Sequence, residues 1–312
     1  MPKNLPVKLP LFTSKNIIRT SLISIAYLLL SSFLIGFKSN QIILVLIFNV
    51  CFYASMVTRK FILGFSIFIV YWILFDYMKA FPNYLYHSVS IEHLYRLEKS
   101  LFGIHFNGKV VTPNEYWLLN SRPVMDVIGG FFYLMWIPVP LAFAAYLFFR
   151  DRKQFLLFSL TFVLVNLLGF IIYYLYPAAP PWYVQLHGFK FIAHTPGNTA
   201  GLARFDKFFN AAIFKSIYSN GSNVFAAMPS LHSSYPVIVL YYGLKNRLGL
   251  MNILFAIVML GIWFTAVYTS HHYVLDVLAG ILCAATGITL FNWLLRHTKL
   301  RIWIDQMCLR IA

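Results

Sequence analysis

The sequence predicts an all-α integral membrane protein with about eight transmembrane helices. Three observations carry that expectation. Of the 312 residues, 60% are hydrophobic and only 11% are charged, well under half of the ~25% usual for soluble domains. The apolar residues fall into many separate runs of ~17 to 25, long enough to cross a ~30 Å hydrocarbon core. The net charge of +16 is gathered into short basic clusters between those runs, as in cytoplasmic loops. That placement argues against nucleic acid as a partner.

In chain order, the run at ~18–37 follows a basic start with no small-residue cleavage pattern, so it is expected to remain as a helix. Runs at ~41–57 and ~61–78 complete three N-terminal spans within 1–78. Residues 79–123 contain KAFPNYLYHSVSIEHLYRLEKSLFGI, an amphipathic connection expected along the exoplasmic surface; His87, His93 and His105 within it belong to no motif. Residues 124–295 carry spans at ~124–149, ~154–176, ~228–244, ~250–268 and ~272–295, with a long connection at 177–227. There Trp182 and Tyr183, after a double proline, read as an interfacial aromatic anchor. Residues 296–312 form a basic tail. Cys51, Cys283 and Cys308 are far apart, with neither a disulfide framework nor a zinc pattern.

Alternation decides sidedness. Eight spans put both termini on one side, together with Lys3, Lys8, Lys15, Arg19, Arg59, Lys60, Arg150, Arg152, Lys153, Lys245, Arg247, Arg296, Lys299, Arg301 and Arg310. The excess assigns that side to the cytoplasm. Both long connections then face the periplasm or an organelle lumen. His232, in AMPSLHSSYP, lies where the sixth span begins; His271, His272 and Asp276, in YTSHHYVLD, lie where the seventh ends and the eighth begins. Counting spans therefore brings these four residues to one exoplasmic rim.

Ionisable groups within membrane segments are costly and mark functional sites. His272 and Asp276 are four apart, one helical turn. A carboxylate accepting the Nδ1 proton of an imidazole fixes its tautomer and frees Nε2 as nucleophile or base. His232 can then give a proton to a leaving oxygen. Pro229 and Ser230 suit a helix N-terminus, whose free N–H groups welcome an anion. The competing readings are an interfacial histidine, a structural pair or half of a metal site; poor additional ligands argue against metal.

The segments PSLH and HHYVLD resemble the second and third signature motifs of the type 2 phosphatidic acid phosphatase superfamily. YPAAPPWY at 176–183, GLARFDKFF at 201–209, AMPSLHSSYP and HHYVLDVLAG resemble its inositol phosphorylceramide synthase-like branch, with EKSLFGIHF at 98–106 and NEYW at 114–117 as weaker echoes. The resemblance implies a six-helix phosphatidic-acid-phosphatase-type core. It also implies a phosphohistidine on His272, proton transfer by His232 and orientation by Asp276, with no cofactor and no metal. The donor would be a phospholipid, the acceptor a ceramide-like alcohol. Two departures stand out. The first motif's basic residues are absent from YYLYPAAPP, and the arginine usual six residues before the nucleophile is Ala266.

A developing phosphorane needs positive partners, and Lys190, Arg204, Lys207 and Lys215 lie in the same loop. Arg204 is the first choice, with Asp206 to orient it or contact a polyol; for Arg204 and Lys207 the alternative is lipid headgroups. His271 is divided between a phosphate contact and a structural role. The leading expectation is a lipid phosphotransferase, moving an inositol-phosphate-type headgroup to a ceramide-like alcohol at the exoplasmic leaflet. Short loops favour a bacterial inner membrane over a Golgi membrane. A lipid phosphate phosphatase shares the catalytic residues. A proton-coupled transporter or flippase fits less well, because its site belongs at the bilayer midplane among internal repeats.

Overall fold

The computed structural model describes residues 11–219, 221 and 223–311; Lys3 and Lys8 of the basic start lie outside the described residues. Two compact units are present, one of residues up to Ala80 with those from Asp305 onward, the other Phe81–Ile304.

The first unit is built from α1 (Ser14–Ile35), α2 (Ser39–Ala54) and α3 (Met56–Tyr77). Polar side chains join apolar helices, because lipid gives apolar faces no reason of their own to associate. Thr20 Oγ1 lies 2.8 Å from Tyr53 Oη, Ser31 Oγ 2.8 Å from Tyr77 Oη, and Asn49 Nδ2 donates to Ser24 Oγ at 3.0 Å. The helices start earlier than their apolar runs because caps precede them: Thr13 accepts from Asn16 N–H and Ser55 from Thr58 N–H. Arg59 therefore sits in the first turn of α3 rather than in a loop. It is buried, with Nε donating to the Phe52 carbonyl at 2.9 Å and the guanidinium 4.3 Å from the Phe52 ring.

The second unit begins with the amphipathic connection. It forms α4 (Glu92–Phe102), strands β1 (Ile104–Phe106) and β2 (Lys109–Val111), and α5 (Pro113–Leu119). The antiparallel hairpin was not expected from the sequence. Its turn is Asn107-Gly108, at φ 49° and 74°, the left-handed pair that a two-residue hairpin turn requires.

There follow α6 (Pro123–Leu134), α7 (Pro138–Arg150), α8 (Arg152–Leu175), α9 (Pro181–His187), α10 (Ala203–Phe208), α11 (Ile213–Ser219), α12 (Leu231–Lys245), α13 (Met251–Tyr268) and α14 (Val274–His297), and then α15 (Leu300–Ile311), which belongs to the first unit from Asp305 onward. Among the described residues, six helical stretches are long and apolar enough to cross a membrane: α1, α3, the α6–α7 stretch, α8, α13 and α14. The chain is a multi-pass, all-α integral membrane protein. The other two expected spans are helical where expected but shorter, α2 with 16 residues and α12 with 15.

The stretch expected as one span over 124–149 breaks at Met135–Ile137. Pro138 and Pro140 lack the N–H groups that would continue the ladder, so α6 ends and α7 restarts. Buried α12 lies at the centre, packed against α7, α8, α13 and α14. Its start is pressed onto α14, where a Cβ on Gly280 would stand 2.2 Å from the Ser230 carbonyl oxygen. Trp263 Nε1 donates to Ser233 O at 3.0 Å, Ser234 Oγ to Gly280 O at 2.7 Å, and Tyr235 Oη to Asn166 Oδ1 at 2.7 Å. These bonds fix the orientation of α12, and with it the azimuth of His232.

Candidate active site

His232 projects from the first turn of α12; His271 and His272 stand in the short loop from α13 to α14. The Ala266 carbonyl accepts from both the His271 and His272 N–H groups, at 3.1 and 3.0 Å, curling that loop back over the end of α13. As a result His232 Nδ1 and His272 Nε2 are 3.1 Å apart. On the other side of the His272 ring, Nδ1 lies 3.5 Å from Asp276 Oδ2, just beyond ordinary hydrogen-bond length. Asp276 is fully buried. Its Oδ2 accepts from Tyr273 N–H at 2.8 Å and its Oδ1 has no partner among the described residues.

One proton arrangement satisfies this line. With Nδ1–H of His272 toward Asp276, its Nε2 carries a lone pair and accepts from Nδ1–H of His232. A nucleophilic nitrogen thus has a proton donor beside it and a carboxylate behind it. Loose apo contacts of this kind tighten when substrate arrives. Tyr133 and Trp136, at the α6–α7 break, wall the His232 ring: Tyr133 Oη is 3.3 Å from Nδ1 and the Trp136 ring centre is 4.4 Å from that of His232.

His271 turns the other way. Its Nδ1 is 3.0 Å from Thr269 Oγ1, its ring is 4.6 Å from that of Tyr218, and its buried Nε2 has no partner among the described residues. Arg204 donates from Nε to Asp126 Oδ1 at 2.6 Å, and Tyr268 Oη donates to the same oxygen at 2.8 Å. The Arg204 Nη2 group is buried and has no hydrogen-bond partner among the described residues. It borders the loop from α13 to α14, since a Cβ on Gly201 would meet both Arg204 Nη2, at 3.0 Å, and Thr269 Cα, at 2.7 Å. Only glycine fits there.

Two expected site residues are placed differently. Asp206 does not orient Arg204; its two oxygens accept from the Phe214 and Lys215 N–H groups, capping the start of α11. Asp126 holds the arginine instead. Ser230 is wholly buried, its Oγ accepting from Ser233 Oγ and its N–H donating to Asp276 O, so it joins two helix starts rather than facing an anion. Lys207 is exposed, as are Lys190 and Lys215. The sequence reading missed Asp126 and Tyr133. An acid inside an apolar stretch was the available signal for Asp126; Tyr133 gave none.

The profile of the PAP2 superfamily matches residues 92–290. The chain belongs to the PAP2 superfamily. Over 297 residues it is 44% identical to the phosphoinositol dihydroceramide synthase of Bacteroides thetaiotaomicron, covering 94% of this chain and 97% of that one. It is 27% identical over 248 residues to the inositol phosphorylceramide synthase of Candida albicans, 78% of this chain and 50% of that one. With the inositol phosphorylceramide synthase catalytic subunit of Schizosaccharomyces pombe the figures are 26% over 240 residues, 76% and 55%. No solved structure matches.

Within the PAP2 superfamily this chain's two departures have a structural counterpart. Ala178, in the stretch lacking the first motif's basic residues, is fully buried and bridges the backbone at Ser90 and Ala226. Ala266 is likewise fully buried, where an arginine would not fit. The Arg204 guanidinium reaches the loop that carries His271 and His272 from the 177–227 connection instead.

Proposed function

We propose that this chain is a membrane phosphotransferase that moves a phosphoinositol-type headgroup from a glycerophospholipid to a ceramide-like alcohol through a phosphohistidine. The observation that carries the reading is the His232–His272 contact of 3.1 Å with Asp276 behind it, in a chain whose relatives bear synthase names. His272 Nε2 attacks phosphorus, and the bond to the diacylglycerol oxygen breaks as His232 supplies its proton. The acceptor hydroxyl then returns a proton to His232 and displaces His272 from phosphorus. Asp276 balances the charge on the His272 imidazole between the two steps. Arg204 Nη2 supplies a donor for the phosphoryl oxygens. No step calls for a metal or cofactor.

The basic excess at the termini and short loops supports cytoplasmic ends and an exoplasmic site. The bacterial relative fits a bacterial inner membrane. Donor and acceptor would both be lipids reaching the site from the leaflet. The test gives the purified protein headgroup-labelled phosphatidylinositol with and without ceramide. Label appearing on ceramide is expected; label released only into water would replace the transferase reading with a hydrolase.

A further inference from the structure

The motifs EKSLFGIHF and NEYW lie outside the histidine constellation, yet their side chains end on its backbone. Asn114, fully buried at the start of α5, donates from Nδ2 to Val267 O at 2.8 Å and to His272 O at 2.9 Å. Glu98, fully buried on α4, accepts from Val274 N–H on Oε1 at 2.9 Å and from Leu275 N–H on Oε2 at 3.1 Å. One side chain thus holds the carbonyl of His272, and the other holds the N–H groups two and three residues later. A carboxylate at the N-terminus of α14 also meets the positive end of that helix.

The two arms are themselves cross-tied. Tyr95 Oη on α4 donates to Glu115 Oε1 on α5 at 2.8 Å, and Glu115 Oε2 accepts from Thr112 N–H at 2.7 Å. The hairpin of β1 and β2 joins them covalently. The loop they grip needs such support. It runs from Thr269 to Tyr273 between helix ends, Ser270 stands at φ 60°, and on its inner side the Ala266 carbonyl holds both histidine N–H groups.

We propose that Glu98 and Asn114 are positioning residues, a two-armed clamp on the backbone that aims His272 Nε2 along the line of attack. The proposal rests on the reading of His272 as nucleophile. Neither residue touches His232 or the reacting atoms; each acts through the peptide groups around His272. Misplacing a reacting atom by 1 Å costs up to about 100-fold in rate, whereas substrate affinity depends on other groups.

The test compares the full-length purified protein with Asn114→Leu, Glu98→Gln and a distant control, Tyr242→Phe. The control deletes a buried hydroxyl bonded to Thr161 and Leu157, ten residues, about 15 Å, along α12 from His232. Two readouts are taken: deuterium exchange of peptides covering 266–276, and kcat and KM for headgroup transfer. The expected result is exchange about 10-fold faster in that segment, the scale of one lost hydrogen bond. With it, kcat falls about 10- to 100-fold at little-changed KM, and Tyr242→Phe alters neither. Unchanged exchange would overturn the clamp. Faster exchange with full kcat would reduce it to a structural brace and overturn the positioning role. If the wild type transfers no headgroup, the functional reading fails while the exchange measurement still decides whether the clamp exists.

Discussion

His232 Nδ1 and His272 Nε2 stand 3.1 Å apart although 40 positions separate them in the chain. Each ring is held from outside the pair: His232 by the start of α12 against Tyr133 and Trp136, His272 by a loop folded onto the Ala266 carbonyl. Under the proposed function, a phosphoryl group bound here would meet the proposed nucleophile and the proposed proton donor together.

Because His272 carries the proposed covalent bond, His272→Ala is expected to abolish headgroup transfer, and His232→Ala to lower it by about 10²- to 10⁴-fold. The measurement is labelled-lipid turnover on protein that still elutes as a single folded species. Substantial turnover by His272→Ala would remove it as nucleophile.

Arg204 and Asp126 form an ion pair through Nε, and Nη2 has no partner among the described residues. Arg204→Ala is therefore expected to cut kcat/KM by about 10²-fold or more. Arg204→Lys should not restore it, because an ammonium cannot hold Asp126 and a phosphate with one planar fork. Exposed Lys215→Ala should change turnover less than twofold. Equal losses at 204 and 215 would refute the assignment.

Glu98 gives a pH signature. Burial pushes its carboxyl up from 4.5 to about 7, against the pull of the Val274 and Leu275 N–H groups, and the nearby Asp276 adds to the rise. A carboxyl raised in the folded state favours folding while protonated. Its contribution is thus complete below about pH 4.5 and is lost as pH rises through about 7. Thermal unfolding of wild type minus that of Glu98→Gln is expected to fall across this interval. A difference independent of pH would show that Glu98 does not titrate there.

Sidedness is tested by cysteine labelling. Ala193 is exposed in the connection after α9. In intact cells a membrane-impermeant maleimide should modify Ala193→Cys above the background of Cys51, Cys283 and Cys308. Labelling only after permeabilisation would invert the topology.

Much of the architecture was legible because lipid imposes a coarse code. Apolar runs at 154–176, 250–268 and 272–295 became α8, α13 and α14 with ends shifted by a few residues, since satisfying backbone polar groups leaves a helix as the simplest solution there. Helix starts were less legible, as at Arg59, where the Ser55 cap extended α3 beyond its apolar pattern. The α6–α7 break was written in Pro138 and Pro140, and the hairpin in Asn107-Gly108, yet both are short signals within long apolar or amphipathic stretches.

Residue types and span order alone gave the expectation that His232, His272 and Asp276 would come together, and they do, because helices crossing a bilayer alternate direction and leave few places for ionisable groups. Packing alone settled the partners. Asp126 rather than Asp206 engages Arg204, Ser230 is buried between helix starts, and Glu98 and Asn114 grip the His272 loop. The choices made by Arg204, Asn114 and Glu98 depend on which side-chain atoms approach within hydrogen-bond reach across 78 to 177 positions of chain. Helical periodicity carries no information at that range.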